Sequence, residues 1–332
     1  MKNVLEQIKE KAKALKKTIV LCEGEDPRVV KAAADATKEG IAKIVLLGNE
    51  EEIKKANPDA DLTGVTIVNP LTSDKLAAYN ARLCELRASK GMTPDQAEKL
   101  LKDGTYFGAM MLKEGDVDGL VSGACHSTAN TLRPGLQIIK TAPGVSSVSS
   151  FNLMICPPQG NQYCPDGLVV FADCGLNPTY TSEGLADCAI ATANSAKAIA
   201  GIDPKVAMLS FSTKGSAKHD NVTLVAEAAK IAKEKAPDLK LDGELQFDAA
   251  IVPEVGASKA PGSPVAGHAN VLIFPDLDAG NSNYKNTERL GGFQAVGPLC
   301  QGLAKPINDL SRGCHMEDIV AAVAITALQT QI

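Results

Sequence analysis

Close to its C-terminus the chain carries Lys305-Pro306-Ile307-Asn308-Asp309-Leu310-Ser311-Arg312-Gly313-Cys314-His315-Met316-Glu317-Asp318. A lysine, an arginine, a hydroxyl and several acids share one short, turn-rich stretch. Arg312 can neutralise a bound anion, Ser311 can donate or accept a hydrogen bond, and Asp318 falls in the first turn of a helix. That helix is announced by Ile319, Val320, Val323, Ala324 and Ala327, whose three- and four-residue spacing marks one buried stripe. Acyl or phosphoryl chemistry is within reach of such a set. A plainer reading also fits: Ser311 as a helix cap, Asp318 as an acid matched to the helix dipole, Arg312 as a surface charge.

A second candidate is Ser122-Gly123-Ala124-Cys125-His126-Ser127-Thr128, which leads into a helix holding Asn130, Thr131 and Arg133. Small and hydroxyl residues between a strand and a helix start suit an anion, because backbone N–H groups point at it. An ordinary strand–helix turn would look the same. Arg87 and Arg133, on separate helices, can grip phosphates as bidentate forks or stand solvated. Glu23, Glu25 and Asp26 lie where a helix begins and acids are normal, so a structural role is expected of them. His126 and His315 each stand alone in sequence. No G-x-x-x-x-G-K-[ST] loop occurs and no G-x-G-x-x-G follows the first strand, which removes the usual signs of ATP or NAD binding. The loop Ser212–Lys218 lacks P-loop spacing, and no G-x-S-x-G elbow is present.

The elements that must position these groups follow an α/β rhythm. A first amphipathic helix precedes a strand at Thr18–Cys22; Asp26 is placed to cap the next helix with Pro27 at its first position, and that helix runs to Gly40. Strands are expected at Lys43–Leu47, Val65–Val68 and Asp118–Val121. A long helix is expected from Ser73 to Lys90, and Thr93-Pro94-Asp95-Gln96 is a capping box that opens another. Alternation of this kind means a mostly parallel sheet covered on both faces. After Pro143-Gly144 two strand-like runs, Ser149–Cys156 and Leu168–Asp173, suggest an antiparallel pair and a new domain. Helices at Thr181–Ala200, Asn221–Lys235, Phe247–Val255 and Asn281–Leu290 alternate there with strands at Lys205–Phe211, Leu239–Leu241, Val271–Phe274 and Phe293–Val296. Periodicity does not decide which domain holds the C-terminal helix.

The 332 residues suffice for two domains, and a net charge of -5 gives no reason to expect nucleic acid. Without Trp and with few aromatics, a stacking platform for single strands is disfavoured. No apolar run nears the roughly 18 residues that span a bilayer. The lysine-rich N-terminal helix does not read as a signal peptide. The cysteines form no Cys-x-x-Cys pair and do not cluster with histidines, so buried thiols in a reducing cytoplasm are expected rather than disulfides or a metal site.

Several stretches together resemble the phosphate acetyltransferase (phosphotransacetylase) family over essentially the whole chain. They are Val117–Ala124, Thr131-Leu132-Arg133-Pro134, Met208–Ser216, Asp242-Gly243-Glu244-Leu245-Gln246, Ala260–Gly267 and Gly302–Gly313. The resemblance implies the reaction acetyl-CoA plus phosphate giving CoA plus acetyl phosphate. Coenzyme A is then a substrate, and no bound cofactor or metal is expected. It implies two three-layer α/β/α domains with mostly parallel sheets separated by a cleft, like isocitrate and isopropylmalate dehydrogenases. Residues 1–144 plus 297–332 would form the first domain and 145–296 the second, in a cytoplasmic homodimer. On these motifs Ser311, Arg312 and Asp318 are expected to be catalytic, and Arg87 and Arg133 to bind CoA. Arg28, Ser127 and Thr131 are further expected substrate contacts. The expected mechanism is direct thiolate attack in a ternary complex. Asp318 would take the thiol proton, Arg312 would stabilise charge on the acyl oxygen and phosphate, and Ser311 would orient. Phosphate is a good leaving group, so no covalent enzyme intermediate is needed. A phosphate butyryltransferase-like preference and a non-catalytic regulatory domain of the same fold are the rival readings.

Overall fold

The structure, a computed structural model, describes residues 4–332. The chain forms two compact units: one gathers the chain up to Ala142 with the segment Leu303–Gln331, and the other is Pro143–Gly302. Among the described residues no helix is long and apolar enough to cross a membrane.

In chain order the first unit contains α1 (Val4–Leu15), β1 (Thr18–Leu21), α2 (Pro27–Lys38), β2 (Lys43–Leu47), α3 (Glu50–Ala56), β3 (Thr66–Val68), α4 (Leu76–Leu86), α5 (Pro94–Leu101), α6 (Gly104–Glu114), β4 (Gly119–Ser122) and α7 (Thr128–Pro134). Local chemistry accounts for several boundaries. Asp26 accepts from the Arg28 N–H and Pro27 follows it, so α2 starts where the sequence placed it. Thr93 and Gln96 form the expected capping box of α5. The long helix expected over Ser73–Lys90 is shorter: α4 stops at Leu86, Arg87 follows, and a 3₁₀ turn at Ala88–Lys90 ends at left-handed Gly91. Strands β1, β2 and β4 are apolar runs buried along nearly their whole length, as a sheet covered on both faces requires.

The second unit contains β5 (Ser149–Ile155), β6 (Leu168–Ala172), α8 (Ser182–Ser195), β7 (Lys205–Leu209), α9 (Asp220–Lys235), β8 (Lys240–Leu245), α10 (Phe247–Ile251), α11 (Pro253–Lys259), β9 (Val271–Ile273), α12 (Leu277–Arg289) and β10 (Gln294–Gln301). Its six strands are ordered β10-β5-β6-β9-β7-β8, with β10, β5 and β6 antiparallel and the others parallel. Three expectations shift here. The helix expected over Phe247–Val255 breaks at Val252, because the residue before Pro253 is pushed to extended backbone. α12 begins four residues earlier than Asn281, since Asp276 caps it by accepting from Ala279 N–H. β10 continues past Val296 to Gln301, so the chain leaves this unit only after Gly302.

The chain then returns as β11 (Ile307–Asp309) and α13 (Met316–Gln329), both in the first unit. β11 was expected to be loop; its three residues pair in parallel with β4 and are buried. The first sheet is therefore ordered β11-β4-β1-β2-β3, all parallel. The one buried stripe expected of α13 becomes burial on nearly all sides, because the helix packs against β1, β4 and β11 on one side and against α1 and α2 on the other.

Candidate active site

Strand order in the first sheet reverses between β1 and β4: β1, β2 and β3 step one way, and β4 and β11 lie on the other side. Open α/β sheets bind ligands at such a switch point, outside the carboxyl ends of the strands. Because β11, β4 and β1 are parallel neighbours, the loops after them emerge at one edge. They carry Glu23, Asp26 and Arg28, then Gly123–Thr128, then Ser311 and Arg312.

Glu23 joins the first two loops. It is 1% exposed, and its Oε2 accepts from Gly123 N (2.9 Å) and Ala124 N (2.8 Å). Its Oε1 accepts from Cys125 N (2.8 Å) and lies 2.7 Å from His126 Nδ1. The backbone N–H groups that the sequence offered to a substrate anion thus hold the protein's own carboxylate. Glu23, expected to be a helix-start acid, is what shapes this loop.

Arg28 joins all three loops. Its Nε donates to Asp26, its Nη1 to the carbonyls of Arg312 (2.9 Å) and Cys314 (2.8 Å), and its Nη2 to Asp26 (2.7 Å) and the Ala124 carbonyl (3.0 Å). A guanidinium has five N–H donors, and these acceptors use them all. Arg28 was expected to contact substrate; in this geometry it has no donor left and acts as a clamp. Its hydrogen bond also holds the Asp26 carboxyl at about 2.

Arg87, Arg133 and Arg312 differ from the other arginines. Arg82 pairs with Glu85 and Glu114, Arg289 with Glu288, and Arg28 with Asp26. No acid or hydrogen-bond acceptor meets the guanidinium groups of Arg87, Arg133 or Arg312 among the described residues, and the Nε of Arg87 is buried without a partner. Arg87 and Arg133 both act on the buried Tyr106 by charge, and the Tyr106 hydroxyl donates to Gln137 (3.0 Å). A buried donor left unsatisfied is costly, so it marks a place where a ligand's acceptor fits.

The remaining expected residues divide. Ser311 and Arg312 are exposed, with Ser311 Oγ accepting from Gly313 N (3.2 Å); Ser311 does not cap α13. Asp318, half-buried in the first turn, closes the helix start by accepting from His315 N (2.8 Å). Ser127 caps α7 and is exposed, whereas Thr131 is fully buried with an unpartnered hydroxyl. Lys305 is not at this edge: it precedes β11 and donates to the Leu112 carbonyl (2.6 Å) at the end of α6. Cys125, expected to be buried, is exposed.

Asp309 and His126 also stand at this edge. Asp309, at the end of β11, is buried with Oδ1 unpartnered, and burial, helped by the Glu23 charge, raises its pKa against the opposing influence of the nearby Thr128 and Thr131 hydroxyls. Only its place two residues before Ser311 pointed to it. His126, lone in sequence, is held by Glu23 through its Nδ1. It faces a cavity of about 350 Å³ at the ends of β1, β2 and β3, whose other walls include Glu25, Asn49, Glu52, Lys102 and Asp103.

Residues 3–327 match the family described as phosphate acetyl/butaryl transferase. The phosphate acetyltransferase of Acetivibrio thermocellus is 57% identical over 327 residues, 98% of each chain, and that of Thermoanaerobacterium thermosaccharolyticum is 53% identical over 99% of this chain and 100% of its own. A solved phosphotransacetylase from Streptococcus pyogenes is 48% identical and superposes with a TM-score of 0.91, covering 99% of this chain and 98% of that one. At the level of fold alone, a dehydrogenase-type structure from Salmonella typhimurium, 13% identical over 95% of this chain and 99% of its own, superposes with a TM-score of 0.54.

Proposed function

The chain belongs to the phosphate acetyl/butaryl transferase family, and from that premise we propose that the switch-point edge of its first sheet transfers an acetyl group directly between CoA and phosphate. The activity is that of a phosphate acetyltransferase: acetyl-CoA and phosphate in exchange for CoA and acetyl phosphate. One observation carries the assignment to the first unit. Arg87, Arg133 and Arg312 lack counter-ions while the other arginines are paired, and both substrates are polyanions.

In this reading Arg87 and Arg133 hold the phosphates of CoA. Ser127 adds a hydroxyl at the start of α7. Arg312 faces the reacting phosphate and the acyl oxygen, where one well-placed donor contributes on the order of 10²–10³-fold. Ser311, on the same exposed turn, orients the acyl group. Asp318 removes the thiol proton as sulfur attacks, a contribution of about 10²–10⁴-fold, because only a few per cent of a free thiol is ionised near neutrality. Its hydrogen bond to His315 N fixes the carboxylate, so capping and base roles coexist. Coenzyme A enters as substrate. The nine free cysteines support a reducing, cytoplasmic setting. Phe211 and Phe247, exposed at the ends of adjacent β7 and β8, offer apolar surface to a second copy in a homodimer.

Purified protein is expected to release CoA from acetyl-CoA only when phosphate is added, with initial-rate lines that intersect as both substrates vary. Phosphate-independent release would remove the assignment, and parallel lines with an isolable acetyl-enzyme would replace direct transfer by a covalent route. Comparing kcat/KM for acetyl- and butyryl-CoA fixes the acyl preference.

A further inference from the structure

Breaking acetyl phosphate leaves a chemical problem that Ser311, Arg312 and Asp318 do not solve. Acetyl phosphate is a dianion near neutrality. When the thiol sulfur displaces its phosphate, the oxygen that leaves the carbonyl carbon departs as phosphate trianion unless it receives a proton. Asp318, charged with taking the thiol proton, is not a donor at that moment. A second proton-carrying group belongs at the phosphate end.

We propose that His126, held by Glu23, is that group: a general acid whose Nε2 protonates the leaving phosphate oxygen. Glu23 receives three backbone N–H bonds, so its oxygens act as acceptors and the hydrogen in the Glu23–His126 contact sits on Nδ1. Nε2 then carries the exchangeable proton, and it has no partner among the described residues; the ring lines the cavity. The surroundings favour an imidazolium. Glu23 lies beneath the ring, Asp309 on β11 lies near Glu23, and Glu25, Glu52 and Asp103 line the cavity against the single Lys102. Asp26 and Arg28, from α2 and its cap, bond each other and the same loop at Cys125 and Ala124. Burial of the ring opposes its charge, yet the hydrogen bond and charge of Glu23, with Asp103 and Glu25 behind, hold its pKa above the ordinary imidazole value. The Arg28 clamp ties this loop, through the Ala124 carbonyl, to the Arg312 carbonyl, so acid and phosphate-binding arginine belong to one assembly.

The protons balance. The S–H proton passes to the Asp318 carboxylate as the S–C bond forms; the Nε2 proton passes to phosphate as the C–O bond breaks, releasing hydrogen phosphate and neutral His126. In the opposite direction His126 takes the proton of attacking hydrogen phosphate, and protonated Asp318 returns one to the leaving thiolate. This rests on the acetyl-transfer reading above. Opposed acid and base roles on groups in different environments are what such a reaction needs.

The test is His126→Asn, which keeps an N–H donor toward Glu23 and removes Nε2. With acetyl phosphate and CoA, kcat should fall about 10²–10⁴-fold while the CoA KM stays within about threefold. The imidazolium is the active form, so the wild-type rate should decline as pH rises past the raised His126 pKa, and the variant should lose that alkaline limb. A variant within threefold of wild type overturns the proposal. So does a slow variant that keeps the limb, which would make His126 structural. Should the variant fail to fold, the wild-type profile decides alone: no alkaline limb, no general acid at His126. Absence of any transfer by wild type would instead sink the parent reading.

Discussion

Arg87, Arg133 and Arg312 share a residue type with Arg28 and have the opposite situation: unpaired guanidinium groups against one whose five donors are all engaged. If Arg87 and Arg133 hold CoA phosphates as proposed, substituting Gln for either removes a charge-assisted bond of about 1.5–3 kcal/mol and should raise the CoA KM roughly ten- to a hundredfold with kcat little changed. Steady-state kinetics in both directions check it, and an unmoved KM takes the residue out of the site. Arg312 and Asp318 were candidates in the sequence because they sit around the start of a periodic helix, where a cap and a dipole-matched acid fitted as well; the family motifs were what separated the two readings. Glu23 and Arg28 could not be assigned, since their partners lie 100 and 284 positions away. A local window shows an acid and an arginine at a helix start, and only the sheet order shows what they hold.

At the scale of elements, the three-loop junction is where sequence and geometry part. β11 is three residues long and follows a proline, too short for an alternation signal to exceed turn signals, and its strand character comes from pairing with β4. The helix starts at Asp26 and Thr93, by contrast, rest on contacts within three residues and were readable. Two variants probe the junction. Gly123 has φ +113°, and a Cβ there would meet Asp309 Oδ1 and lie 2.6 Å from Leu310 N. Gly123→Ala should therefore destabilise the first unit by more than the about 1–3 kcal/mol that such backbone strain alone costs. Chemical denaturation measures it. Arg28→Lys keeps the charge and leaves carbonyls of Ala124, Arg312 and Cys314 short of donors. We expect a stability loss of about 1–3 kcal/mol and a lower kcat with little change in CoA KM. A rise in KM alone would make Arg28 a substrate ligand after all.

For the whole molecule, the strand–helix alternation made the α/β class legible, and the second unit begins at Pro143. The return point was less visible because β10 continues through Gly297 and Pro298, residues that look like an ending. Residues 143–302 are one continuous segment with their own core and should fold cooperatively when expressed alone. The chain cut after Gly302 lacks β11 and α13 and should lose the cooperative transition of the first unit. Circular dichroism of the two fragments checks both. Each unit also carries a carboxylate held at about 2: Asp26 through Arg28, and Asp242, where burial is outweighed by bonds from Lys214, Lys233 and Ser263. Folded pKa values below the unfolded one stabilise above the ordinary carboxylate pKa, so this stability should drain from both units as pH falls from about 4 to about 2.

The proposed transfer runs on the turn after β11 and the first turn of α13, with Asp318 as base. Asp318→Asn keeps an oxygen that can accept from His315 N–H and removes only the charge. With the variant's melting temperature unchanged, kcat for CoA acetylation by acetyl phosphate should fall about 10²–10⁴-fold, while the CoA KM moves less than threefold. An unchanged kcat, or a raised KM with kcat intact, would contradict it.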